Sequence, residues 1–222
     1  MEQPAPGQTV ILNGAPRAGK SSIVNIIQDS FEGIWMNLGV DVFARGVTPK
    51  RLQPGIGLRP GPGPERGGEN PELEALVPVL YFALYDSIAA HSRLGLNVIV
   101  EGGLHGAIHP ALPSDCAKRL AGLPVLFVGV RCPIEVIMER RNASPPGSYA
   151  VSTPDVPVPP PVRLWQEEVH KPGIYDLEVD TSALSPEECA DAIRTRLKEG
   201  PPGTAFERLA EGDAGPHAQE ID

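Results

Sequence analysis

Five short apolar segments divide this chain, and between them apolar residues recur at three- and four-residue spacing. The first segment is Thr9-Val10-Ile11-Leu12. The second is Ile34-Trp35-Met36-Asn37-Leu38-Gly39, ending at Val40-Asp41. Asn97-Val98-Ile99-Val100-Glu101, Pro124-Val125-Leu126-Phe127-Val128-Gly129-Val130 and Tyr175-Asp176-Leu177-Glu178-Val179-Asp180 complete the set. Each is strand-length, and the near-continuous apolar run of the fourth fits a parallel strand covered on both faces. Ile23, Ile26, Ile27 and Phe31 form a helical stripe after the first strand. Leu73, Leu76, Val77, Leu80 and Leu84 predict a helix over 71–93, with Gly95 as its stop. Pro133 opens a helix after the fourth strand, where its missing N–H costs no hydrogen bond. A short helix spans 163–169, and Ser185-Pro186-Glu187-Glu188 is a capping box that starts a last helix running to Lys198. Strands alternating with helices predict an α/β fold, a parallel sheet with right-handed crossovers. Ligands of such sheets bind beyond the carboxyl ends of the strands, which directs attention to Asp41, Glu101-Gly102-Gly103 and Arg131.

Between the first strand and its helix lies Asn13-Gly14-Ala15-Pro16-Arg17-Ala18-Gly19-Lys20-Ser21-Ser22. It fills the pattern G-x-x-x-x-G-K-[ST] with Gly14, Gly19, Lys20 and Ser21, in the strand–loop–helix order the motif demands. A strand must end, wrap an anion, and pass the chain to a helix whose first N–H groups are unpaired and aimed at that anion. Residues 14–22 are therefore expected to cradle nucleotide phosphates. Lys20 would supply positive charge at the β/γ-phosphates, and the Ser21 hydroxyl would ligate Mg²⁺.

Three segments interrupt the alternation. Residues 48–71 are rich in Gly and Pro and carry Lys50, Arg51, Arg59 and Arg66; residues 144–161 are proline-dense; residues 200–222 are acidic and poor in large apolar side chains. The first two leave the sheet on its ligand side, where long loops serve as lids or binding elements. The organisation expected is a flexible start over 1–8, one domain over 9–199 with an acceptor-side loop at 48–71 and a lid at 140–172, and a disordered tail over 200–222.

Composition narrows the function. A chain of 222 residues suits one substantial core, and a net charge of −9 argues against non-specific nucleic-acid binding. No signal peptide and no apolar run near the roughly 20 residues of a membrane span is present, so a soluble cytoplasmic protein is expected. Cys116, Cys132 and Cys189 lack metal-site or disulfide spacing, and Cys132 and Cys189 read as small buried hydrophobes. No N-K-x-D segment follows any predicted strand, which favours ATP over a guanine nucleotide.

Phosphoryl transfer needs clamped phosphates, a held Mg²⁺, an in-line acceptor and charge stabilisation. Asp41, at the end of the second strand, is placed to accept a proton from an acceptor hydroxyl, to bind Mg²⁺ through water, or merely to bond its own turn. Glu101 occupies a Walker-B-like position beside the first strand if the sheet order is 2-3-1-4-5, and is a candidate Mg²⁺ ligand with Ser21. Arg140 and Arg141 lead into the proline-dense loop, where an arginine could stabilise charge on the transferring group, although helix ends also favour arginine for dipole reasons alone. Arg163 and Lys171 are weaker candidates on the lid or adenine side. His170 is expected to cap the short helix rather than to act as a base.

These segments resemble the chloramphenicol phosphotransferase family. The matching stretches are Ile11-Leu12-Asn13-Gly14 with the loop through Ser22, Leu38-Gly39-Val40-Asp41, Val98-Ile99-Val100-Glu101, Val128-Gly129-Val130-Arg131-Cys132, Val169-His170, and Tyr175 to Thr181. The resemblance implies a three-layer P-loop fold like shikimate and nucleoside monophosphate kinases, with a five-stranded parallel sheet in the order 2-3-1-4-5. It implies ATP and Mg²⁺ as cofactors, Asp41 as the base, an acceptor pocket built by 48–71, a lid after Arg140, and a small hydroxylated substrate. The chain departs from the family in having Glu101-Gly102 where an aspartate pair is usual, and Ser144-Pro145-Pro146-Gly147 in place of an arginine-bearing stretch. Reaction type therefore transfers better than substrate. Kinases of the gluconate or zeta-toxin type and a nucleotide-binding module without turnover remain the alternatives.

Overall fold

In the computed structural model the five apolar segments become β1 (Thr9–Asn13), β2 (Trp35–Asn37), β3 (Asn97–Gly102), β4 (Val125–Arg131) and β5 (Leu177–Asp180). They form one parallel sheet in the order β2-β3-β1-β4-β5, as the sequence predicts. The structure describes residues 4–47, 76–107, 109–146, 149–171 and 173–212. The predicted acceptor-side loop at 48–71 lies outside them.

The described helices are α1 (Lys20–Ser30), α2 (Val40–Val47), α3 (Val77–Arg93), α4 (Leu112–Arg119), α5 (Ile134–Asn142), α6 (Pro160–Glu168), α7 (Pro186–Glu199) and α8 (Ala205–Glu211). They cover the sheet from both sides because strand side chains alternate. Val10, Leu12, Ile99, Val128 and Val130 pack with residues of α1, α5, α6 and α7. Ile11, Val98, Val100 and Phe127 pack with residues of α3, α4 and α8. All five β1 residues are buried. At about 1.5–3 kcal/mol for each fully buried large aliphatic side chain, this central strand is the firmest anchor available for the loop that leaves it.

Several expectations change. The second strand stops at Asn37, whose Oδ1 accepts the Gly39 N–H at 2.9 Å and turns the chain. Asp41 consequently lies in the first turn of α2 rather than at a strand end, where a carboxylate complements the helix dipole. The helix expected over 71–93 is described from Val77; Leu76 is exposed, Leu73 lies outside the described residues, and the buried face is Val77, Tyr81, Leu84, Tyr85 and Ile88. Part of the supposed tail folds: α8 buries Ala205, Phe206 and Leu209. The Asp176 carboxylate accepts the Thr204 and Ala205 N–H groups at 2.7 and 3.0 Å, capping α8 from β5's approach. At the other end, Gly7 is pinned by reciprocal bonds with Ser92, its N–H to the carbonyl at 2.8 Å and its carbonyl to the hydroxyl at 2.7 Å. Helix α4, which the sequence reading did not anticipate, buries Leu112, Pro113, Cys116 and Ala117.

Candidate phosphoryl-transfer site

The chain leaves β1 at Asn13, turns through 14–19 and enters α1 at Lys20. Two residues of the turn are left-handed, Arg17 at φ 73° and Gly19 at φ 94°; glycine adopts this region without strain. The Gly14 N–H donates to the Gly102 carbonyl at 3.3 Å, tying the loop to the end of β3. Lys20 Nζ donates to the Gly14 and Ala15 carbonyls at 2.7 and 2.9 Å, so its charge sits inside the turn. Desolvation lowers its pKa to about 8, partly offset by the carboxylates of Glu101 and Asp41. Three residues from α1, β3 and α2 thus share one electrostatic neighbourhood.

Ser21 Oγ donates to Glu101 Oε2 at 2.6 Å. Gly39 makes room for that carboxylate: a Cβ there would lie 2.6 Å from Glu101 Cγ. A hydroxyl and a carboxylate in contact at a helix N-terminus are hard oxygen donors of the kind Mg²⁺ takes alongside water and phosphate oxygens, so these residues fit the ion. The N-terminus of α1 and the turn around it likewise fit nucleotide phosphates.

On the other side of the loop a cavity of about 190 Å³ is lined by Arg17, Gly19, Lys20, Ser21, Ser22, Arg140 and Tyr149. Arg140 is held in place: Nη1 donates to Thr181 Oγ1 at 3.1 Å and to the Arg17 carbonyl at 3.2 Å, and Nη2 donates to the Thr181 carbonyl at 2.7 Å. Thr181 Oγ1 in turn donates to the Ala18 carbonyl at 2.7 Å. The two arginines therefore separate. Arg141 is buried, donates Nε to the Ala150 carbonyl at 3.0 Å, and faces the Tyr149 ring at 5.1 Å. Arg17 faces that same ring at 5.3 Å. Arg163 is exposed on α6 and Lys171 pairs with Glu168; neither lines this cavity.

Helix α6, within the segment expected to act as a lid, is packed into the core through Val162 and Trp165. Gln166 Nε2 donates to the Cys132 carbonyl at 2.8 Å. The His170 ring does not cap α6; its Nδ1 lies 2.7 Å from the Tyr175 hydroxyl. The sequence reading missed Thr181, Tyr149 and the buried Asn13, whose side chain joins the loop to both 104 and 169. A buried asparagine closing an otherwise apolar strand was the available signal for Asn13. No local signal marked Tyr149.

Among the described residues no helix is long and apolar enough to cross a membrane. Similarity to solved structures supports the fold. A sugar kinase from Janibacter sp. HTCC2649 superposes with a TM-score of 0.57 at 18% identity, covering 86% of this chain and 95% of that one. The APS kinase CysC of Mycobacterium tuberculosis, in complex with AMPPNP and APS, gives 0.56 at 17% identity over 88% of this chain and 100% of its own. A shikimate kinase from Acinetobacter baumannii, in complex with shikimate, gives 0.53 at 12% over 87% and 94%. The sheet is that of the P-loop kinases. In sequence, a Mycobacterium tuberculosis protein named "Putative O-phosphotransferase Rv2636" is 26% identical over 216 residues, 91% of this chain and 88% of its own. The family model for chloramphenicol phosphotransferase-like proteins matches residues 7–198. This span holds the phosphate loop, Asp41, Glu101, Arg140 and Thr181, and the chain belongs to the chloramphenicol phosphotransferase-like family of kinase-type phosphotransferases.

Proposed function

We propose that this protein is an ATP-dependent O-phosphotransferase that phosphorylates a hydroxyl of a small molecule, either an antibiotic such as chloramphenicol or a related natural-product intermediate. The observation that carries the reading is the bond of Ser21 to the Glu101 carboxylate directly beside Lys20, whose Nζ is held inside the phosphate loop by the Gly14 and Ala15 carbonyls. The loop amides and Lys20 would hold the nucleotide phosphates. Ser21 and Glu101 would hold Mg²⁺, which neutralises charge on the phosphates when bound. Asp41 would accept the proton of the acceptor hydroxyl, at the usual ~2.6–3.2 Å for such a base. Arg140, fixed in the cavity wall, would oppose the negative charge of the transferring group from that side.

ATP consumption over a panel of hydroxylated metabolites and antibiotics, with Lys20→Ala as the blank, tests this. Acceptor-dependent turnover by the unaltered chain, absent from Lys20→Ala, is the expected result. Turnover that survives Lys20→Ala overturns the scheme. Nucleotide binding without any acceptor would instead favour a module that binds and does not turn over.

A further inference from the structure

Residues 149–152 return to the end of α5 and are tied to it there. Arg141 Nε donates to the Ala150 carbonyl at 3.0 Å, Asn142 Nδ2 donates to Ser152 Oγ at 3.1 Å, and the Ser152 N–H donates to Asn142 Oδ1 at 3.0 Å. These bonds fix where the Tyr149 ring can stand. It stands in the wall of the 190 Å³ cavity, with the Arg17 guanidinium 5.3 Å and the Arg141 guanidinium 5.1 Å from its centroid. Both lie within the ~6 Å over which the negative face of an aromatic ring attracts a cation.

The ring answers a crowding of charge. Arg17, Lys20 and Arg140 line the cavity with Tyr149, and no carboxylate lines it. Burial lowers the Arg141 pKa, Tyr149 opposes that shift, and the Arg17 charge adds to it. Among the described residues Arg17 is also the only non-glycine with a left-handed backbone, at φ 73°. Bulky residues hold that conformation only where their surroundings impose it. Its Nη2 donates to the Arg140 carbonyl at 2.9 Å, one bond from a fork of five N–H donors, so the same group can also meet an anion in the cavity. At about 190 Å³ the cavity is smaller than the roughly 300–1,000 Å³ of pockets for drug-sized ligands, and suits phosphate groups rather than a whole nucleotide.

We propose that Tyr149 is a positioning residue: its ring holds the Arg17 guanidinium in the cavity wall, where Arg17 binds the phosphate chain of the nucleotide. A base stacked on Tyr149 would compete for the ring surface that the guanidiniums take. The inference rests on the nucleotide-binding reading above and adds to it a residue outside the phosphate loop.

Calorimetry with inorganic tripolyphosphate, which has phosphates and no base, beside a non-hydrolysable ATP analogue tests this on the full chain. Tyr149→Leu should weaken both by about fivefold, as for loss of a partly exposed cation–π contact. Tyr149→Phe, which keeps the ring, should stay within about twofold of the unaltered chain. Arg17→Gln should cost about tenfold, and adding Tyr149→Leu to it should cost nothing more, because the ring then has no loop cation to hold. Unchanged affinities in Tyr149→Leu, the same loss with and without Arg17, or a Tyr149→Phe as weak as Tyr149→Leu overturns the proposal. A loss confined to the ATP analogue means that the ring stacks on the base, and overturns it too. The Arg17 side-chain N–H signal should be displaced upfield by the ring current; an undisplaced signal in the unaltered chain overturns the proposal even if Tyr149→Leu fails to fold. Each of these outcomes leaves the nucleotide reading intact. If the unaltered chain binds neither probe, both readings fall.

Discussion

The two sides of the candidate site are built differently. On the donor side almost every element is held by backbone: Lys20 bonds two loop carbonyls, Gly14 bonds Gly102, and Arg140 and Thr181 lace the loop to the end of β5. On the acceptor side, Asp41 rides an eight-residue helix that meets the core through partly buried Val40 and Phe43, while Val42 and Val47 are 46% and 54% exposed. On the proposed function, one side would be a fixed mould for an anion of constant shape. The other is a short amphipathic element, and with that function this contrast would let one fold keep its donor and change its acceptor.

Asp41→Asn separates the two halves most sharply. It removes the proposed base and leaves every donor-side bond intact, so kcat should fall by about 10²–10⁴-fold with nucleotide affinity within about twofold of the unaltered chain. Steady-state kinetics beside calorimetric binding checks it. Equal losses in both would show that α2 shapes the donor side too.

Arg140→Ala acts from the opposite direction. Its guanidinium donates to two carbonyls and a hydroxyl that hold the loop. With charged hydrogen bonds at about 1.5–3 kcal/mol, nucleotide affinity should drop roughly 10- to 100-fold. A fall in kcat with affinity retained would instead make Arg140 purely a transition-state residue. Glu101→Gln is the intermediate case, since Glu101 touches both halves through Ser21 and Gly39. The Mg²⁺ concentration for half-maximal activity should rise about tenfold, as for loss of an orienting carboxylate, and a Mg²⁺ titration reads it.

The same division explains what could be read from the chain. The five strands, the phosphate loop and the capping box at Ser185 follow from local patterns, namely apolar runs, fixed glycine spacing, and a serine three residues before a glutamate, whereas the sheet order is implied only by the family resemblance. Asp41 was legible as a candidate but not its setting, because the Asn37 side chain ends the strand before the apolar run does. Helix α8 was hidden because its stability is non-local; Phe206 and Leu209 are its two large buried apolar residues and Asp176, far earlier in the chain, caps it. Arg140 and Arg141 look equivalent in sequence, yet the roughly 100° between consecutive helix positions sends the first to line the cavity and the second against the Tyr149 ring and the Ala150 carbonyl.

The smallest expected effect concerns Lys20 alone and tests whether the donor mould is complete before its ligand arrives. In the unliganded chain burial lowers the lysine pKa from 10.5 to about 8. Above pH 8 a growing fraction of molecules is therefore neutral there. A polyanion beside Nζ favours the charged form, so binding must restore the missing proton. Nucleotide affinity should accordingly weaken as pH rises above 8, by at most about tenfold per pH unit, and should be flat below 7. Calorimetry in buffers of different ionisation enthalpy should register uptake approaching one proton per nucleotide near pH 9 and almost none at pH 6.5. Lys20→Arg, whose guanidinium keeps its proton throughout, should remove the slope while binding more weakly, because the planar fork does not match the two carbonyls that Nζ bridges. A flat profile from pH 7 to 9.5 in the unaltered chain would mean that Lys20 is better solvated than its position inside the turn implies, and that the mould forms only around its anion.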